Sequence, residues 1–533
     1  MHFPSVPPSQ KGFLPVTVEI ILTPASLLEE SWIPSTRPAT RKHQEVFVTV
    51  PDPGANGLTE QPSVRSGDPY APIRRWSAIA LECLIATYSL ALVVVAVTGG
   101  VDLVVVSLQR VEKPLFILLL LVPLRIGVGP PSWLLEQGRR RLPDTWAPSR
   151  LRLPPAVVDV AFALAVTRAA TFFIGFVANV LLAPDDGRPF DVPSRLTRLA
   201  ETFAAFDSGW YLDIASRGYY FRTDGESSIA FFPLYPMLMR AVAWPFGGTY
   251  AAVWAAGIGL SCVAFALALL ALHRLTHRVS GDREAARRTV LYVAVFPFSL
   301  FFTSIYTESV FLLTSVLAVS RAYDGRWWMA SVWGALVTLT RPNGILIGLP
   351  LALLAMRGRP APGELAARFT PLLALPLALS AYCAYVFTLS GDPLGWLSAQ
   401  QHWGYSLGGA PWRPLQNLVG QLVEHGPYGY FLLTDIRPYH FFHGVTALVF
   451  LGLTPAVFRN LGAALGAYVL VGLLVPLSSG DLSGIGRYAA VLFPAFMVMG
   501  SVKSPRLHEA ILISSALFLV LFVILFVAQH PIY

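Results

Sequence analysis

The chain reads as an all-α polytopic membrane protein, a bundle of about 11–13 transmembrane helices, and three observations predict this. Of its 533 residues 54% are hydrophobic. Only 13% are charged, where soluble domains carry about 25%. Apolar runs separated by short basic loops recur from Trp76 to the C-terminus, the pattern of a multi-pass helical protein.

The elements follow in order. Residues 1–75 are rich in Pro, Ser, Thr and charge, and their two β-like runs, Val18–Ile21 and Val46–Val50, are too isolated to make a domain. They are expected to form a disordered cytoplasmic tail, and they lack the order of a signal peptide. Residues 76–533 are expected to form one multi-pass domain. Its candidate helices cover 77–98, 114–128, 155–182, 250–272, 289–303, 309–322, 327–340, 344–356, 369–389, 440–458, 461–478, 487–501 and 509–528. Several are shorter than the roughly twenty residues a span needs, which suits half-spans or tilted elements.

Basic loops orient these helices. Arg74 and Arg75, Arg139 to Arg152, Arg274 to Arg288, Arg357 to Arg368, and Lys503 with Arg506 fall on one side in a single alternation that starts inside. The positive-inside rule makes that side cytoplasmic. The alternation requires that Ile229–Pro245, aromatic and broken by Pro233 and Pro236, lies at the interface or re-enters without spanning. Extracytoplasmic loops near 183–249 and 390–439 result, together with the turns at Tyr306-Thr307-Glu308, Arg341-Pro342-Asn343 and 478–488. The polar groups unexplained by topology therefore gather on one face.

A net charge of +8 would suggest nucleic acid in a soluble chain. Here the positive residues sit in inter-helix loops, so topology and anionic membrane lipid account for them and no nucleic-acid partner is expected. Cys83, Cys262 and Cys383 lie far apart inside apolar runs. Their spacing gives no support to a metal or disulfide framework, and His440 with His443 offers only loose metal spacing. No metal site and no cofactor is assigned.

The cluster Phe206-Asp207-Ser208-Gly209-Trp210-Tyr211-Leu212-Asp213 sets carboxylates among aromatic rings just beyond an apolar run. Such groups hold a sugar and take a proton from its hydroxyl. Asp207 is the candidate base, with Trp210, Tyr211 and Asp213 as candidate binding residues. Each has a plainer alternative: Asp207 caps a helix starting at Ser208, and Asp213 pairs with Arg217 at i+4. Glu308 is a carboxylate between apolar segments, expensive at that depth and a functional candidate by default, or the partner of a neighbouring Arg. Arg341 and Arg487 break the positive-inside pattern, which favours an anionic ligand or an internal salt bridge. Asn343, Gln401, His402, Trp403 and Tyr488 complete the candidate set with amides, imidazoles and sugar-stacking rings. Arg168, inside an apolar helix, is expected to face the interior or to snorkel outward.

Three stretches in order resemble one family. They are Phe206-Asp207-Ser208-Gly209-Trp210-Tyr211 with Ala230-Phe231-Phe232-Pro233-Leu234-Tyr235-Pro236, then Phe301-Phe302-Thr303-Ser304-Ile305-Tyr306-Thr307-Glu308-Ser309, then Thr340-Arg341-Pro342-Asn343-Gly344. Together they are similar to PIG-V-type mannosyltransferases over roughly residues 195–350. Of the 39 basic residues only Lys11, Lys42, Lys113 and Lys503 are lysine, an arginine bias compatible with a GC-rich bacterial genome. The resemblance implies a GT-C integral membrane glycosyltransferase with extracytoplasmic catalytic loops and a polyprenyl-phosphate sugar donor, mannose as the sugar, and a lipid or glycan acceptor. It matches Asp207 to the family's first-loop aspartate. Phe206 replaces the tryptophan of the eukaryotic pattern, which keeps an aromatic wall and leaves the acceptor open. A transporter or flippase of a lipid-linked sugar is the rival class. It predicts polar residues along a midplane path and repeated halves, and neither pattern is present in the sequence.

Overall fold

Helices of 6 to 31 residues build the described part of the chain. A computed structural model describes residues 154–182, 202–223, 225–402, 408–432 and 438–532, with a few isolated positions before residue 154. All belong to one unit spanning 73–533. The expected tail, the helices at 77–98 and 114–128, the basic loops before Pro155, residues 183–201 and Trp403 lie outside the described residues.

In chain order the helices are α1 (Pro155–Leu182), α2 (Ser208–Arg217), α3 (Leu234–Ala243), α4 (Tyr250–Ser280), α5 (Arg283–Val295), α6 (Glu308–Tyr323), α7 (Trp327–Thr338), α8 (Gly348–Ala355), α9 (Pro362–Phe369) and α10 (Ala374–Ser390). Then come α11 (Gly395–Gln401), α12 (Arg413–Leu432), α13 (Tyr439–Leu461), α14 (Ala463–Leu477), α15 (Ile485–Ala490), α16 (Phe493–Gly500) and α17 (Pro505–Val527). Among the described residues, five helical stretches are long and apolar enough to cross a membrane: Pro155–Asn179, Tyr250–Ser280, Pro362–Ser390, Tyr439–Leu461 and Pro505–Val527. Their outer faces carry apolar side chains. On α1, Val158, Phe162 and Val166 stand about half exposed at i, i+4 and i+8, a stripe that suits lipid and not water.

Ile229–Pro245 does not form a long helix. It holds a 3₁₀ turn, Ser228–Ala230, and the ten-residue α3, about 15 Å long and too short to cross. Tyr235 on α3 is fully buried and hydrogen-bonds the Gly257 carbonyl at 3.0 Å, which pins α3 to α4.

Two expected helices are broken. The run 289–303 divides into α5 and a 3₁₀ segment, Pro297–Phe302, because Pro297 has no N–H to continue the ladder. Arg168 on α1 turns inward at this break. Its guanidinium donates to the carbonyls of Ala294 (2.7 Å) and Ser299 (2.8 Å) and to the hydroxyls of Ser299 (2.9 Å) and Thr303 (2.8 Å). It thereby satisfies carbonyls the break leaves without helical partners. The run 487–501 likewise divides into α15 and α16, with Pro494 in the first turn of α16. Both breaks turn the chain where the polar cluster lies.

Candidate active site

The site is assembled from four turns. The first precedes α2. Phe206 takes a left-handed backbone, φ 56°, unusual for a bulky residue, and packs edge-on against Phe526 at 5.4 Å. Asp207 follows at the start of α2, yet its side chain makes no cap bond. The capping alternative fails. Its carboxylate instead accepts from Arg487 Nη1 at 2.8 Å.

Glu308 opens α6 and is fully buried. Arg487 Nε donates to its Oε1 at 2.7 Å, and Arg341 Nη1 lies 3.3 Å from the same oxygen. Arg487 therefore bridges two carboxylates from distant turns. Its guanidinium also lies over the rings of Tyr306 at 4.5 Å and Phe301 at 5.1 Å, and Arg341 lies over Tyr488 at 4.7 Å, so each cation gains a ring face as well as an acid. The exposures separate the acids: the Asp207 side chain is 21% exposed and Glu308 0%. Asp207 can meet a ligand; Glu308 braces the two arginines from beneath.

The turns are held by packing and backbone bonds. Leu234 N–H donates to the Leu339 carbonyl at 2.9 Å, tying the aromatic loop to the Arg341 turn. Ile305 N–H donates to the Phe203 carbonyl at 3.0 Å, tying the Asp207 turn to the Glu308 turn. Gly344 closes the Arg341 turn so tightly that a Cβ there would collide with the Val337 carbonyl oxygen. That explains the glycine ending Thr340-Arg341-Pro342-Asn343-Gly344. Before α15, Gly486 N–H donates to His443 Nδ1 at 3.1 Å, while its bare Cα sits against the Phe298 ring. Arg487 is the next residue.

These turns enclose a cavity of about 370 Å³ lined by Asp207, Tyr211, Arg341, His402, Arg487 and Tyr488, all singled out from the sequence. Phe231, Gln400, Asp481 and Ser483 also line it. Gln400 donates to the Ala230 carbonyl at 2.8 Å. Asp481 Oδ1 lies 3.2 Å from His440 Nε2. Burial pushes the Asp481 carboxyl up, but the Ser483 hydroxyl, the neighbouring His440 and backbone N–H groups outweigh it and hold the group below the usual carboxylate range. Burial, and then the Asp207 carboxylate, push the Tyr211 hydroxyl above its ordinary value, so Tyr211 is present as a neutral phenol.

Other candidates lie apart from the cavity lining. Trp210 stacks on Phe231, centroids 5.5 Å apart and planes at 11°, and so buttresses the wall. Asp213 pairs with Arg217 at 3.2 Å. Gln401 is exposed. The Asn343 side-chain amide oxygen, Oδ1, is buried without a hydrogen-bond partner. No group of three metal-ligating side chains is present among the described residues.

Residues 164–354 match the family described as Mannosyltransferase (PIG-V). This stretch carries the PIG-V family pattern. It includes Asp207, Glu308 and Arg341 and excludes Arg487, which the fold brings to them. Similar proteins include "GPI mannosyltransferase 2" of Drosophila pseudoobscura pseudoobscura, 29% identical over 162 residues, covering 28% of this chain and 35% of that protein. A second, "GPI mannosyltransferase 2" of Yarrowia lipolytica, is 28% identical over 178 residues, covering 33% of this chain and 46% of that protein. The chain thus spans less than half the length of these PIG-V-like relatives. Among solved structures, an Archaeoglobus fulgidus oligosaccharyltransferase in the apo form superposes with a TM-score of 0.40 at 12% identity, over 70% of this chain and 56% of that one.

Proposed function

We propose that this chain is an integral membrane glycosyltransferase of the GT-C class. It moves a sugar, mannose on the family pattern, from a polyprenyl-phosphate donor to the hydroxyl of a lipid or glycan acceptor. One observation carries the reading: Asp207, partly exposed, and Arg341 and Arg487, both cavity-lining cations, face one cavity above a fully buried Glu308.

In the reaction, the acceptor oxygen forms a bond to the anomeric carbon as the bond from that carbon to the phosphate oxygen breaks. The acceptor proton passes to the Asp207 carboxylate, which acts as general base. The electron pair leaves with polyprenyl phosphate, whose charge Arg341 and Arg487 stabilise through charge-assisted hydrogen bonds. A phosphate is already a good leaving group, so a second carboxylic acid is unnecessary, unlike glycoside hydrolysis. A single displacement inverts the anomeric carbon. Donor phosphate on Arg487 competes with Asp207 for the guanidinium and frees the carboxylate toward the acceptor. Glu308, beneath, keeps both arginines in place. The arginine-rich loops at the far ends of α4 and α8 support an extracytoplasmic location for the cavity.

The test is transfer from a labelled polyprenyl-phosphate sugar by purified Asp207→Asn. Transfer is expected to fall about 10²- to 10⁴-fold, the range for loss of a general base, with the melting temperature kept. Unchanged transfer by a folded variant rules out Asp207 as the base. Label that crosses vesicles without entering a new product replaces transfer with transport.

A further inference from the structure

A second cavity, of about 560 Å³, opens among the far ends of the helices. Helix α6 begins at Glu308 in the first site and ends at Tyr323 in this one, a rise of about 24 Å over its sixteen residues. The two cavities therefore lie at opposite ends of the bundle. The second has two kinds of lining: Leu353 and Leu461 are apolar and half-buried, while Arg278, Arg357, Asn460 and Tyr323 are polar.

The charge there is unbalanced. Asp324 receives both Arg278 and Arg321, and Arg357 has no ion-pair partner among the described residues. Three guanidinium groups against one carboxylate leave an excess of two positive charges. Glu364, the nearby acid on α9, is already taken by Arg368. An amphipathic cup with surplus guanidinium at its rim, in a chain whose long helices are built for lipid, has the chemistry to take one anionic amphiphile.

We propose that this cavity binds an anionic glycerophospholipid of the leaflet opposite the Asp207 site. Arg357 and Arg278 take the phosphate, and Leu353 and Leu461 take the first carbons of an acyl chain. Anionic lipid attracts such basic positions at a membrane surface, and a guanidinium binds phosphate in a two-pronged geometry that lysine lacks.

The experiment is native mass spectrometry of the full chain purified from bilayers of phosphatidylcholine with phosphatidylglycerol. Wild-type protein is expected to retain phosphatidylglycerol in preference to phosphatidylcholine. Arg357→Gln is expected to lower that retention about fivefold, the weight of one surface arginine near anionic lipid, while Arg326→Gln, outside the cavity lining, leaves it unchanged. Equal retention of the two lipids overturns the proposal. So does wild-type retention by Arg357→Gln. The C-termini of α4, α6, α8 and α13 meet here, and an arginine that only offsets their dipoles predicts a lowered melting temperature with lipid selectivity intact. Stabilisation by soluble glycerol phosphate without lipid also overturns it, in favour of a water-soluble ligand.

Discussion

Two buried arginines grip the same stretch of chain, from Ala294 to Glu308, and they do so differently. Arg168 holds the break before Phe302 through carbonyl and hydroxyl oxygens. Arg487 holds the end of that segment through the carboxylates of Glu308 and Asp207 and the faces of Phe301 and Tyr306. Both are under a tenth exposed, so burial alone does not distinguish them. Their partners do. Neutral oxygens satisfy the hydrogen-bond donors of Arg168 and include no anion to exchange, whereas an ion pair beside a cavity can trade one anion for another. Only Arg487 lines the cavity. A buried charge solvated by backbone stabilises the fold; one solvated by a partly exposed acid is available to a ligand.

The sharpest way to break this contrast is at Arg487. Arg487→Leu removes the partner of a fully buried carboxylate, and breaking a buried pair costs about 3–5 kcal/mol. Melting in detergent is expected to fall by that equivalent, with transfer abolished. Arg487→Lys keeps the charge but cannot reach two acids in the fork geometry, so it is expected to recover part of the stability and little of the transfer. Full activity in Arg487→Lys removes the guanidinium from the mechanism.

Arg168→Met tests the other side. Orphaning buried carbonyls costs about 1–3 kcal/mol each, so the variant is expected to melt earlier while transfer per folded molecule stays within severalfold of wild type. Loss of transfer with unchanged melting would show that Arg168 positions the Tyr306–Glu308 turn for chemistry, and the contrast would collapse.

The helical, membrane-spanning class was legible because composition and apolar run length do not depend on tertiary contacts. Helix α1 falls at Pro155–Leu182 as the apolar run predicts. Pro297 and Pro494 mark the two breaks locally, but both sit inside apolar runs that otherwise read as single helices, and the partners that receive the freed carbonyls, such as Arg168, lie far away in sequence. In the site, Asp207, Glu308, Arg341 and Arg487 stood out because charge is rare in this chain. Their mutual pairing did not, since Arg487 lies 179 positions from Glu308 and 280 from Asp207. Gln400 stood out with Gln401 and His402 as a hydroxyl-bonding group of the loop 390–439 and does line the cavity, whereas Asp481 was visible only as a polar residue of the turn 478–488; nothing local ties either to Asp207. Trp210 carried an aromatic signal that packing, not ligand access, explains.

The smallest effect belongs to Asp213, on the helix that Asp207 precedes and six residues beyond it. Its partner is Arg217, 83% exposed, at i+4, and an exposed helical pair is worth about 0.3–0.5 kcal/mol. Asp213→Asn is expected to shift the melting temperature barely and to leave transfer within about twofold, since a group outside the cavity contributes no base catalysis. Measured beside Asp207→Asn, it separates the two acids of one motif by orders of magnitude in rate. A comparable loss in both would mean that α2 turns on substrate binding to bring Asp213 inward, and the partition between the catalytic acid and the structural one would have to be redrawn.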